Sequence, residues 1–249
     1  MKRFYGWIRS LPDQRDLCFV PRQLDVLPHL IDLRPLFPAA YDQGQLGSCV
    51  LNAIAGVTEY DLKKESLPDF MPSRLFMYYN TRVIEKTVKS DSGCAIRDAV
   101  KSINSLGVCD EELWPYKICK FKTKPSNSCY TSALNDRAVK YQAVTQSLYD
   151  MKSTLAGGYP FVIGISVYES FESDEVAKTG IVPMPGQDEG MMGGHGLAVA
   201  GYDDSKQAFI VRNSWGVNWG LSGYCYIPYA YLTNPNLSSD FWVITLIGK

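Results

Sequence analysis

Along the first half of the chain, apolar residues recur at helical spacing. Val50, Ala53, Ile54 and Val57 fall on one face, and Leu51, Ala55 and Leu62 widen it, which predicts one buried helix over 50–64 that reaches toward Glu65. The stretch "PSRLFMYYNTR" predicts a second helix with Ser73 as its cap. In "AIRDAVKSINSLG", Ile96, Ala99, Val100, Ile103 and Leu106 line one face, and Gly107 stands where a helix end wants a left-handed residue. The pattern changes in the second half. "YPFVIGISVY", "HGLAVAGYD", "AFIVRNSW", "GYCYIPY" and "DFWVITLI" are short β-branched and aromatic runs broken by Gly, Asp and Asn, and they predict strands. Between the first two lies a long loop, "SFESDEVAKTGIVPMPGQDEGMMGG". A helical half followed by a sheet half predicts an α+β protein of two lobes, about 32–135 and about 136–249, with a cleft between them. Residues 1–31 form a Pro- and Arg-dotted lead whose leucines (Leu24, Leu27, Leu30) have no sustained period.

The totals narrow the function classes. With 249 residues, 46% of them apolar, the chain can bury a substantial core. A formal net charge of -1 and the lack of a basic run give no reason to expect a nucleic-acid or membrane partner. No apolar stretch approaches the ~20 residues a membrane span needs. The N-terminus has no apolar core behind its basic residues, so a conventional secretory signal is not expected, and the compartment stays open. Seven cysteines (18, 49, 94, 109, 119, 129, 225) include no Cys-x-x-Cys, and the histidines are only His29 and His195. A zinc cage is therefore not expected, nor any other cofactor, and at least one thiol must be free. A monomer is expected.

One junction carries chemistry. "DQGQLGSCV" places Cys49 at the start of the first helix, with Ser48 positioned to cap it. Unpaired backbone N–H groups and the helix dipole there favour a thiolate, the nucleophilic form. Most cysteines are inert packing, so this stretch alone favours a functional thiol only slightly. "GGHGLAVAGYD" shifts the balance: His195 opens an apolar strand with glycine on both sides. A neutral imidazole beside a thiol takes its proton. In "RNSWGVNWG", Asn213 ends a strand where it can orient that imidazole, with Trp215 and Trp219 able to shield the bond. Cys, His and Asn thus form a nucleophile, a base and an orienter in chain order. Acyl transfer also needs donors aimed at an oxyanion, and the Gln43 amide with the Cys49 backbone N–H can supply two.

These segments resemble the papain family of cysteine peptidases from about Ile31 to Ile247. "DLRPLFPAAYDQGQLGSC" is similar to the family's mature start and catalytic turn. "GCAIRDAVKSINSLGV" with "WPY" is similar to its substrate strand, third helix and following turn. "GGHGLAVAGYD" and "NSWGVNWGLSGYCYI" are similar to its histidine and asparagine segments. The resemblance implies a papain-like α+β fold, with a helical left lobe and an antiparallel β-barrel-like right lobe. It implies an endopeptidase with Cys49 as nucleophile, His195 as base and then acid, Asn213 as orienter and Gln43 in the oxyanion hole. Trp215 matches the indole over the Asn–His bond. Gly93 and Cys94 fall where paired glycines bind an extended peptide, and Gly194 falls where a carbonyl faces substrate.

The chain departs from the family in several places. Leu46 stands where the family usually has a cysteine bonded to one near Cys94, so that crosslink cannot form. Val50 replaces a tryptophan. Cys94 replaces a glycine, which puts a side chain beside the peptide-binding strand. Cys119 and Cys129 are near enough in sequence to bridge a loop. The long loop before His195 lacks the histidine pair of the carboxydipeptidase variant. The lead leaves two readings open, by analogy with the family's inhibitory prosegments: residues 1–31 fold across the cleft as in a zymogen, or they pack along the back of the lobes. His29 is expected to be non-catalytic. The partners are peptide or protein substrates. Two other readings of the scaffold are acyl transfer to an amine and peptide binding without chemistry, the latter at odds with an intact Cys, His, Asn and Gln.

Overall fold

The first apolar run becomes α1 (Cys49–Lys64), and it is buried on every side from Cys49 to Leu62. Its interior polar residues stay satisfied: Asn52 Nδ2 donates to the Ser48 carbonyl, and Asn52 Oδ1 accepts from Arg74 Nη1 at 2.9 Å. Ser48 does not cap the helix by its side chain. Its hydroxyl instead meets Tyr116 Oη at 2.5 Å, in the WPY turn. The second run becomes α2 (Arg74–Ile84), where Ser73 Oγ accepts from the Phe76 amide as expected. The third becomes α3 (Ile96–Leu106), ending at Gly107 with φ +76°. The computed structural model describes residues 4–135 and 140–245. The lobe boundary placed near 136, residues 1–3 of the lead and the end of the last strand, 246–247, lie outside those residues.

Three short helices that periodicity did not separate follow: α4 (Asn127–Ala133), α5 (Leu148–Ala156) and α6 (Asp174–Thr179), the last inside the expected long loop. A fourth, α7 (Tyr229–Thr233), precedes the final strand. The strands are β1 (Leu30–Asp32), β2 (Lys140–Ala143), β3 (Phe161–Tyr168), β4 (Met191–Asp203), β5 (Ala208–Arg212), β6 (Tyr224–Pro228) and β7 (Ser238–Thr245). They pair antiparallel in the order β2-β7-β3-β4-β5-β6, with β1 on β4. The expected barrel-like lobe is an open sheet in the described residues: β2 and β6 end the order and do not pair with each other. The class is α+β. No helix among the described residues is long and apolar enough to cross a membrane.

β4 explains how helix and sheet meet. In "HGLAVAG", Gly196, Ala198 and Ala200 alternate with Leu197 and Val199, and successive side chains point to opposite faces. The small residues face α1: a Cβ on Gly196 would lie 2.9 Å from Val50 Cα. Leu197 and Val199 enter a second core with Ile163, Ile165, Val211 and Trp215. Each contributes roughly 1.5–3 kcal/mol by burial. Odd-numbered His195 shares that second face, which sets it against Trp215.

Candidate active site

Cys49 is the first residue of α1 and is fully buried. Gly196, next to His195 on β4, donates its backbone N–H to Cys49 Sγ at 3.3 Å, so the sulfur at the helix start reaches the strand bearing the imidazole. His195, also fully buried, holds Asn213 Oδ1 at 2.8 Å through Nε2. Asn213 Oδ1 also accepts the Ser214 amide at 2.7 Å, so that atom is an acceptor and His195 Nε2 carries the hydrogen. In the neutral ring this leaves the lone pair on Nδ1. The Trp215 ring stacks on the imidazole at 5.1 Å and 28°, and Trp219 meets Trp215 edge-on at 5.2 Å. Phe171, from the expected loop, stacks on Trp219. The two indoles therefore form an apolar wall beside the His–Asn bond.

Gln43 is held in one orientation. Its Oε1 accepts from Ser214 Oγ at 2.6 Å, so Nε2 points away as the donor, to the carbonyls of Leu46 at 2.9 Å and Phe4 at 3.0 Å. Sequence reasoning missed Ser214. It bonds Asn213 through its amide and Gln43 through its hydroxyl, and so couples two candidate residues from opposite halves of the chain. The signal was its place between Asn213 and Trp215, where a buried hydroxyl needs a partner. Tyr116 donates to the Gln43 carbonyl at 2.9 Å, which gives the WPY turn its role.

The lead supplies the remaining contacts. Residues 4–8 lie between Gly47, Cys49, Gly93 and Cys94 on one side and Gly194–His195 on the other. Trp7 N–H donates to the Gly194 carbonyl at 2.9 Å, Cys94 N–H to the Gly6 carbonyl at 2.7 Å, and Ile8 N–H to the Cys94 carbonyl at 3.0 Å. The segment runs parallel to the Cys94 strand. The glycines make room for it: a Cβ on Gly6 would sit 1.8 Å from the Gly47 carbonyl oxygen, and one on Gly164 would sit 1.9 Å from Trp7 Cε2. Trp7 is 8% exposed, and its indole N–H donates to Asp240 Oδ2 at 3.0 Å. Tyr5 packs edge-on to His195 at 5.8 Å, and its hydroxyl donates to Glu172. What remains of the cleft is a cavity of about 440 Å³ whose lining includes Phe4, Tyr5, Gly6 and Trp7 themselves. Further on, Arg97 binds Asp16 and the Leu11 carbonyl, and Phe19 N–H donates to the Ala143 carbonyl at 2.7 Å. The two readings of the lead thus divide along its length: residues 4–8 enter the cleft, and residues 17–19 follow β2.

Electrostatics follow from this cover. Burial pushes the Cys49 thiol up to about 11, against the opposing pull of backbone hydrogen bonds from Gly196 and Gly6. Burial thus opposes the thiolate expected from a helix start. The Cys94 thiol is also driven up by burial, and Cys94 packs in the core around α1 that Trp7 of the lead joins. The Cys119–Cys129 bridge does not form: Cys119 is exposed, Cys129 is buried, and the Cys129 thiol meets that of Cys109. His29 lies at the surface, 3.5 Å from Asp204. Among the described residues, no three His, Cys, Asp or Glu side chains are grouped so as to hold a metal ion.

Comparison with known proteins adds four findings. The profile of papain family cysteine proteases matches residues 27–239. A peptidase C1-like protein of Acanthamoeba polyphaga mimivirus is 41% identical over 98% of this chain and 87% of its own length. The crystal structure of xylellain, a cysteine protease from Xylella fastidiosa, superposes with a TM-score of 0.93 at 39% identity, covering 100% of this chain and 99% of that one. A digestive procathepsin L 3 of Tenebrio molitor shares the fold at a TM-score of 0.72 and 19% identity, over 93% of this chain and 75% of its own.

Proposed function

Since the chain belongs to the papain family of cysteine proteases, we propose that it hydrolyses internal peptide bonds through Cys49, His195, Asn213 and Gln43, and that residues 4–8 hold it inactive. Once the cleft is open, His195 Nδ1 takes the Cys49 proton while Nε2 stays on Asn213. The thiolate attacks the substrate carbonyl carbon, and the oxyanion is held by Gln43 Nε2 and the Cys49 N–H. His195 then protonates the departing amine, and the thioester is hydrolysed by water that the same imidazole activates. Gly93, Cys94 and Gly194 bind the substrate backbone, and Trp215 keeps water from the His–Asn bond.

The observation that supports this best is the peptide already in place: the lead is an extended backbone whose Phe4 carbonyl sits on Gln43 Nε2. The same geometry would protect that peptide from attack at Gly6. It presents the Gly6 amide N–H to the sulfur, and the Gly6 carbonyl is taken by Cys94 N–H. An N–H group is no electrophile. Trp7→Ala should loosen the lead and allow turnover of a fluorogenic dipeptidyl substrate, and adding Cys49→Ala should abolish that turnover. Hydrolysis that survives Cys49→Ala or thiol alkylation would remove the catalytic assignment. Unchanged turnover in folded Trp7→Ala would remove the inhibitory one.

A further inference from the structure

Leu46 cannot form a disulfide, yet the loop that delivers the thiol has to be held against the strand that binds the peptide. The structure does this with polar groups. The Gly47 N–H, two residues before Cys49, lies 3.1 Å and 3.0 Å from Oδ1 and Oδ2 of Asp91. The Tyr78 hydroxyl donates to Asp91 Oδ1, and its oxygen accepts the Gly93 N–H at 3.1 Å. The chain of bonds therefore runs Gly47, Asp91, Tyr78, Gly93, and it ends beside Cys94, whose N–H and carbonyl grip residues 6 and 8. Tyr78 is fully buried on α2, and burial raises its pKa, so the hydroxyl stays a donor. The Arg82 guanidinium lies 4.0 Å over the Tyr78 ring and donates to the carbonyls of Val88 at 3.0 Å and Ser90 at 2.9 Å. It thereby fixes the loop that carries Asp91.

We propose that Asp91 and Tyr78 are positioning residues for peptide hydrolysis. They lock the Gly47–Cys49 turn to the Gly93–Cys94 strand by hydrogen bonds where no covalent link exists. The proposal rests on the catalytic reading of Cys49. Neither residue touches the reacting atoms. Asp91 acts through the Gly47 amide, and Tyr78 acts through both Asp91 and the Gly93 amide. Because one carboxylate joins the two arms, the pair works as a unit, and each arm alone loses most of its value when the other is cut.

The test uses the full-length chain carrying Trp7→Ala, so that the cleft is accessible, with kcat and KM measured on a fluorogenic peptide alongside the thermal midpoint. Asp91→Ala should lower kcat/KM about 10-fold, with part of the loss in kcat because the turn bearing Cys49 is released. Tyr78→Phe should give a similar loss, weighted toward KM because the Gly93 strand is freed. The double variant should be no worse than about either single one. Asp91→Asn, which keeps an acceptor for Gly47, should recover part of the kcat and serves as the working variant if Asp91→Ala does not fold. Unchanged kcat and KM in folded variants, or losses that multiply in the double variant, would overturn the proposal. Failure of the catalytic reading is separable from this, because it appears as hydrolysis that persists in Cys49→Ala whatever Asp91 does.

Discussion

The two walls of the cleft hold their functional groups by different means. On the helical side, Cys49, Gln43 and Gly93 are placed by hydrogen bonds that end on backbone, with Asp91, Tyr116 and Tyr78 as the intermediaries. On the sheet side, His195 and Asn213 are placed by strand register and by a stack of aromatic rings from Trp215 to Trp219 and Phe171. A hydrogen-bonded loop tolerates the close approach of a peptide backbone, which an oxyanion site needs. The imidazole keeps its tautomer because Asn213 Oδ1, which also accepts the Ser214 amide, can only accept from Nε2. Ser214 joins the two systems through Gln43 and Asn213, and the Gly196 N–H joins them at Cys49 Sγ.

That contrast can be broken in order of severity. In the proposed mechanism His195→Ala removes the base and acid together, and kcat should fall roughly 10⁴–10⁶-fold, about as far as with Cys49→Ala, because the two would act as a unit. Gln43→Ala would remove one proposed oxyanion donor and should cost on the order of 10²–10³ in kcat. Asn213→Ala removes orientation only, and since Trp215 still stacks on the ring the loss should stay near or below 10²-fold. A larger loss for Asn213→Ala than for Gln43→Ala would show that stacking does not hold the imidazole by itself. The lead gives a milder test from the sheet side: Gly164→Ala puts a methyl group 1.9 Å from the Trp7 indole, so basal turnover should rise by about 10-fold. The smallest effect is in pH. With the lead in place, alkylation of Cys49 should climb with pH toward about 11, and in Trp7→Ala that rise should move to lower pH, as read by mass spectrometry after timed iodoacetamide pulses.

What was legible in the sequence was local, or came from widely spaced residues whose types had only one sensible joint use. The helices around Val50 and Ile96 follow from periodicity and the one around Leu75 from its Ser73 cap, while Cys49, His195, Asn213 and Gln43 stand out by residue type and chain order. The illegible parts depend on long-range partners. β1 and β2 are three and four residues long and exist only because β4 and β7 present edges to them. α6 hid in a loop because six residues cannot show a helical period. Asp91 and Tyr78 look like a surface carboxylate and a core aromatic until folding brings Gly47 and Gly93 to either end. Ser48 looked like a cap, but Tyr116, 68 residues away, claimed its hydroxyl.

The short pairing of β1 with β4 has one more consequence. Leu30 is stitched to Asp203 on the strand that also carries Gly194, nine residues away, or about 30 Å along a strand. The 23 residues from Ile8 to Leu30, if loose, would span about 25 Å on average, close to that separation. A displaced Trp7 therefore stays tethered within reach of its own slot, at an effective concentration near the millimolar range. If the lead inhibits as proposed, its opening and reclosing would be unimolecular and indifferent to dilution, and a substrate would compete with a neighbour that stays at hand until the chain between Ile8 and Leu30 is cut.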